Sequence, residues 1–243
     1  MQVDALALRM RPRASFEAAD LGVRLCQTSA RSVYGCYAVA YLPVLALAIA
    51  SFEIAAWLPT LLLFWAKPWC DRTILFVLSR AAFGQPTTVG DLWRARGQVW
   101  WRQLFLSWTW RRLSPWRSFT QPVYQLEGLA FGGIRGRVKQ IKRRKRAPAW
   151  LITLAFFITQ ICLAFAVASL VFWFAPPKQA PDLVTLWSED SGLINVAVFV
   201  AYAVVTAFLE PFYVAAGFAM YLNRRAQLEA WDVEQELRRA FAV

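Results

Sequence analysis

Residues 193–222 read LINVAVFVAYAVVTAFLEPFYVAAGFAMYL, an almost wholly apolar run whose one charge is Glu210, followed directly by Pro211. About twenty apolar residues cross a bilayer as a helix, so the run reads as a membrane span. A carboxylate at the centre of a bilayer costs roughly 2.5–3.5 kcal/mol even on a lenient scale. Glu210 is therefore expected to face protein, water or an interface, or to be protonated. Pro211 donates no backbone N–H and frees a carbonyl one turn earlier. Glu210 and Pro211 form the intramembrane polar candidate, suited to a proton, a cation or a polar lipid group. The structural alternative is a kink whose carboxylate pairs with an arginine near the cytoplasmic face, such as Arg80 or Arg31.

Two further apolar blocks, 33–66 and 149–174, share this character. Only 17% of the chain is charged, against about 25% in soluble domains, yet the net charge is +12. This pattern predicts an all-α, polytopic membrane protein with about four transmembrane helices plus interfacial amphipathic helices. Block 33–66 as one helix would run about 50 Å, too long for a bilayer core of about 30 Å. A break at Ser51-Phe52-Glu53 makes it a hairpin, 33–51 and 54–65, ended by Lys67-Pro68; one long tilted helix is the alternative. The third span is 149–174, with Pro148 suited to its first turn. Small residues Ala203, Ala207, Ala215, Ala216, Gly217 and Ala219 let neighbours approach the fourth. The expected segments are thus 1–32 (cytoplasmic, amphipathic), 33–66 (hairpin), 67–148 (basic, Trp-rich, cytoplasmic or interfacial), 149–222 (second pair of spans) and 223–243 (amphipathic tail).

Residues 15–27 predict an amphipathic helix capped by Ser15 and lying on the membrane. Residues 69–84 predict an interfacial helix. Thr88 caps a helix through 91–112, whose residues Trp93, Trp100, Trp101, Leu104, Phe105 and Trp108 fall at near-helical spacing with arginine edges. Such a stripe suits the headgroup plane or packing on the protein's own spans. Residues 114–133, rich in Pro and Gly, predict a structured loop. In 134–148, Ile134, Val138 and Ile141 share a face, and Lys139 with the run 142–146 makes a dense cationic block. A block of this size beside a span reads as an anionic-lipid contact, or as the charge that holds the loop in the cytoplasm. The lipid- or partner-contact candidates are therefore Trp100, Trp101, Trp108, Lys142, Arg143, Arg144, Lys145 and Arg146. A nucleic-acid role is not expected, because the next residues enter a membrane.

The basic residues set the orientation. Segment 1–31 holds five, 67–148 holds seventeen against three acids, 175–192 holds one and 222–243 holds four. Both termini and the long middle segment are expected in the cytoplasm, with no cleaved signal and no further soluble domain after the tail. There is no His, no paired-cysteine motif and no nucleophile or phosphate-loop signature, so no enzyme activity, cofactor or metal is expected. Cys26, Cys36, Cys70 and Cys162 are expected to pack as small apolar residues. Asp71 is expected to serve a helix start.

Two stretches, RLSPWRSFTQPVYQLEGL (112–129) and LEPFYVAAGFAMYLNRRAQLEAWDVE (209–234), carry a resemblance. With RPRASFEAADLG and WAKPWCDRTILFVLSRAAFG, they resemble the membrane portion of a proteobacterial inner-membrane family with no assigned activity. Proteins of that family often carry a C-terminal domain of unknown function. They are encoded near MoxR-type AAA+ ATPases, von Willebrand-type domain proteins and transglutaminase-like proteins. The resemblance implies a multi-pass protein of the bacterial inner (cytoplasmic) membrane and a AAA+ ATPase or other membrane-complex subunit as partner. The expected function is a non-enzymatic subunit or anchor of a membrane complex with an anionic-lipid-binding cytoplasmic face, able to form homo-oligomers. The alternative is a small transporter or lipid-handling protein that uses Glu210.

Overall fold

The computed structural model describes residues 13–101, 114–129, 131–174 and 192–229. The described residues form helices and turns. In chain order the helices are α1 (Ser15–Thr28), α2 (Ala30–Ala50), α3 (Leu58–Ala81), α4 (Val89–Arg94), α5 (Arg117–Leu126), α6 (Phe131–Lys142), α7 (Arg146–Phe174) and α8 (Gly192–Glu229). Three of them, α2, α7 and α8, contain stretches long and apolar enough to cross a membrane.

Helix α8 is the post around which the others gather: α1, α2, α3, α5, α6 and α7 all pack on it. Its two halves live in different surroundings. Over 194–208 Val196, Val198, Val200, Val204 and Phe208 are exposed, whereas nearly every residue from Glu210 to Asn223 is buried. The apolar run 193–222 is therefore bare over its first half and covered by protein over its second. Its second half is the core of a helical base, covered by α1 and α5. The helix runs on past Asn223-Arg224-Arg225, expected to end it, to Glu229.

The same division repeats in the neighbouring helices. Leu42, Leu47 and Ile49 of α2, Leu61 and Trp65 of α3, and Phe157, Ile158, Ile161, Phe165 and Trp173 of α7 are exposed. Together with 194–208 they make up an apolar belt of exposed side chains. Below it the faces turn inward. Tyr34 donates to the Phe208 carbonyl (2.8 Å) and Tyr41 to that of Ala203 (2.8 Å). These bonds set α2 antiparallel to α8.

Several expected boundaries move. The hairpin break falls at Ser51–Glu53, a short 3-10 turn, as read. The helix after it does not stop at Lys67-Pro68. It continues to Ala81 with Pro68 inside, so no separate interfacial helix exists over 69–84. Proline removes one backbone bond, and here residues 70–75, 77 and 78, buried on all sides, hold the helix regardless. Its charges Lys67, Asp71 and Arg72 are buried in protein, so a hydropathy reading ended the helix where its surroundings change.

Helix α1 docks on the protein by one face. Ala18, Ala19, Gly22 and Cys26 are buried, and α1 packs along the second half of α8. Its cap position is Ala14 and Ser15 is the first helical residue. Asn223 clasps its start: the Arg13 amide donates to Asn223 Oδ1 (3.0 Å), and Asn223 Nδ2 donates to the Arg13 carbonyl (2.9 Å). The expected loop 114–133 contains α5, whose residues Ser118 to Val123 are buried despite Pro122. Ile134, Val138 and Ile141 of α6 are buried on one face, as read. Cys26, Cys36 and Cys70 are buried and Cys162 is exposed on the apolar belt.

Thr88 caps α4 in a reciprocal box. Its hydroxyl accepts from the Asp91 amide (3.3 Å) while its own amide donates to Asp91 Oδ2 (3.0 Å). Those bonds from the Thr88 amide and hydroxyl hold the Asp91 pKa below its ordinary value. A lowered folded-state pKa adds stability that is complete above the unfolded value and is lost as pH falls through the folded one. Asp91→Asn should therefore lower the thermal midpoint at neutral pH. The gap from wild type should close below about pH 4, which midpoints measured across that range would show.

Candidate functional site

The site grows out of the junction between belt and base. Lys67 and Asp71 stand four residues apart on α3 and so share one face. That face looks at Glu210 of α8 and Arg117 at the start of α5. Lys67 Nζ lies 2.6 Å from Glu210 Oε2, and Arg117 Nη2 lies 2.6 Å from Glu210 Oε1 and 3.2 Å from Asp71 Oδ2. Gln160 of α7 extends the chain of contacts, accepting from Lys67 Nζ (3.1 Å) and donating to Thr206 Oγ1 (3.0 Å). Tyr202 and Tyr213 set their rings beside the cations: Lys67 Nζ is 5.6 Å from the first centroid and Arg117 Cζ 5.4 Å from the second. Asp71 is fully buried, Glu210 is 4% exposed and Lys67 7%.

Two cations and two carboxylates thus meet away from solvent. Desolvating four such charges costs several kcal/mol per ion, and packed apolar residues of the same volume are often as stable or more so. Stability alone is a weak reason for the arrangement. It is also incompletely satisfied: Arg117 Nη1 and both Asp71 oxygens are buried without a hydrogen-bond partner among the described residues. Asp71 keeps its charge contact with Arg117, at poor hydrogen-bond geometry.

Beside the network lies a cavity of about 370 Å³. Lys67, Arg117 and Glu210 form its polar wall, with Thr153, Gln160, Tyr202 and Tyr213. Phe64, Phe156, Phe157, Ile161 and Leu209 supply the apolar wall. Asp71 does not reach the cavity; it stands behind Arg117.

Glu210 is therefore paired, but with Lys67 and Arg117 rather than with the expected Arg80 or Arg31. Pro211 is buried inside an unbroken helix. Asp71 is not at a helix start; it lies within α3 and belongs to the network. Sequence reading missed Lys67 and Arg117. The i, i+4 spacing of Lys67 and Asp71 was a usable signal, hidden by ending the helix at Pro68.

The tryptophan and arginine candidates lie elsewhere. The expected helix over 91–112 ends at Arg94 and gives way to a π-type turn, Gly97–Trp101, with 102–113 and hence Trp108 outside the described residues. Trp100 packs on Trp69 (5.9 Å between centroids) and donates to Thr73 Oγ1 (3.0 Å). It is half-buried against α3, whereas Trp101 is exposed. Arg143, Arg144 and Arg146 are exposed at the turn between α6 and α7, with Lys142 over the Trp116 ring (4.9 Å) and Lys145 donating to Ser15 Oγ (3.3 Å). Arg144 takes a left-handed φ of 62°. Among the described residues none of the five pairs with a carboxylate within 4.0 Å.

No family model, curated protein or solved structure matches the chain.

Proposed function

We propose that the protein is a non-enzymatic anchor or subunit of a membrane complex, seated in the bacterial inner membrane by its apolar belt and gripping anionic lipid with its cationic turn. In this reading α2 and α3 form a hairpin of two spans, α7 and α8 supply two more, and the base faces the cytoplasm. The span count includes α3, whose 24 residues reach about 36 Å and whose charges are buried inside. The observation that carries the lipid-gripping role is the cationic turn 142–146. It stands unpaired with any described carboxylate at the foot of α7, where that helix turns apolar and exposed. Basic residues beside a span attract an anionic leaflet by about 1 kcal/mol each near the surface. A AAA+ ATPase is the partner class suggested by the resemblance, and the exposed base is the surface available to it.

The test is the triple variant Arg143→Gln, Arg144→Gln, Arg146→Gln in mixed liposomes with spin-labelled phosphatidylglycerol and phosphatidylcholine. Wild type should bind the anionic label preferentially, in a salt-sensitive way. The variant should lose that preference several-fold with an unchanged thermal midpoint, because these side chains are exposed. An undiminished preference for phosphatidylglycerol would remove the turn from lipid recognition.

A further inference from the structure

The geometry points to the cavity beside Glu210 as a binding site for an amphiphile with one anionic head, a carboxylate or phosphate, and a hydrocarbon chain. Three observations converge on that class. The polar wall carries two cations, Lys67 and Arg117, against one carboxylate, Glu210, since Asp71 stands behind Arg117. With Asp71 3.2 Å from Arg117 the network as a whole is balanced, but of its two carboxylates only Glu210 faces the cavity. Arg117 Nη1 is a buried donor with no partner among the described residues, and a planar guanidinium is suited to receiving a carboxylate or phosphate oxygen. The rest of the lining is apolar, and two of its members, Phe157 (58% exposed) and Ile161 (53% exposed), belong to the outer face of α7.

The opening therefore lies on the apolar belt rather than on a polar surface. A head placed against Arg117 and Lys67 would have its chain leave past Phe64, Phe157 and Ile161 onto that belt. The volume of about 370 Å³ lies in the range of small-molecule sites. A neutral chain would leave Arg117 Nη1 unsatisfied at the usual cost of a buried donor, and a cation supplies no acceptor for it. The direction of lipid access rests on the membrane placement proposed above; the head-recognition chemistry does not involve the cationic turn.

The experiment uses the full chain in a non-ionic detergent, with bound ligand counted by native mass spectrometry. The probes are oleate, oleyl alcohol (the same chain with a neutral head), acetate and inorganic phosphate (heads without a chain), and dioleoyl phosphatidate as the lipid source of the phosphate head. One oleate or phosphatidate per chain is expected, with oleyl alcohol bound roughly tenfold or more weakly. Acetate and phosphate at millimolar concentration should not displace oleate.

Ala164 of α7 also lines the cavity; Ala164→Phe places a ring there, removes no member of the ion network and should abolish oleate retention while the thermal midpoint holds. Arg117→Lys keeps the charge but loses the second donor and should weaken oleate with little change for oleyl alcohol. Equal retention of oleyl alcohol, or full oleate binding by Ala164→Phe, would overturn the proposal. Complete displacement by acetate or phosphate alone would assign the site to a free anion and overturn the amphiphile. Because none of these readouts uses Arg143, Arg144 or Arg146, their failure and that of the lipid-gripping turn are separable.

Discussion

Replacing Arg117 by leucine should destabilise the protein by about 3–5 kcal/mol. The lost guanidinium is the one cation within 4.0 Å of Asp71 among the described residues, and it is half of the pair of cations that hold Glu210. Without it the fully buried Asp71 keeps no cation within 4.0 Å among the described residues, which is close to the situation buried ion pairs penalise most. The result should appear as a large fall in the thermal midpoint of the detergent-solubilised chain. The companion variant separates charge from packing. Adding Asp71→Asn to Arg117→Leu removes the orphaned charge and should recover much of the loss, because Glu210 keeps Lys67. A double variant no more stable than the single one would mean that α5 is held by the shape of Arg117 rather than by the charge balance. Non-additivity is itself the expected signature for residues in one network.

Gly22→Ala should also destabilise the protein, against its local preference. In a helix interior, alanine is favoured over glycine by about 0.8–1 kcal/mol. A Cβ on Gly22, however, would overlap the Ala215 carbonyl of α8 and fall 2.9 Å from the Ala219 Cβ. The clash is with backbone on a buried helix, so neither side yields cheaply, and overpacking of this kind costs about 1–3 kcal/mol. Helix α1 must shift from α8 or leave it. Cys26 of α1 is fully buried and reports the event: in a Cys162→Ala background it should become reactive to a maleimide in Gly22→Ala, while Cys70 stays protected within α3. A more stable Gly22→Ala with Cys26 still protected would show that α1 is not docked this closely. Gly217 makes the equivalent close approach to α5, where a Cβ would fall 2.5 Å from the Ser118 carbonyl carbon.

These two variants probe the same architectural point from opposite sides. The base is held by close backbone packing of α1 and α5 on α8, and that packing encloses the ions at its upper edge. Glu210 sits where the exposed half of α8 gives way to the buried half, and Lys67 where the same change occurs in α3. A second ionic group stitches the base below: Arg137 of α6 pairs with Glu127 (2.9 Å) and with Glu229, and Tyr221 donates to Glu127 (2.7 Å). It shares no residue with the cavity.

By itself the sequence determined the helical class, the three apolar blocks, the turn at Ser51–Glu53, the Thr88 cap and the buried face of Ile134, Val138 and Ile141. Each of these follows from local composition or from a 3.6-residue period, which a linear chain displays directly. It also marked Glu210 as costly. Only the tertiary structure decided which apolar surface is covered by protein and which is left bare, because the run 193–222 stays apolar on both sides of Pro211. The partners of Glu210 were decided there too: Arg117 is 93 residues away in sequence, and no local period connects them. Hydropathy weighs Lys67, Asp71 and Arg72 as if exposed to lipid, so it ended α3 at Pro68. Answered by Glu210 and Arg117, and for Arg72 by the Val99 carbonyl, these charges let the helix continue, because a charge is costly only where nothing answers it.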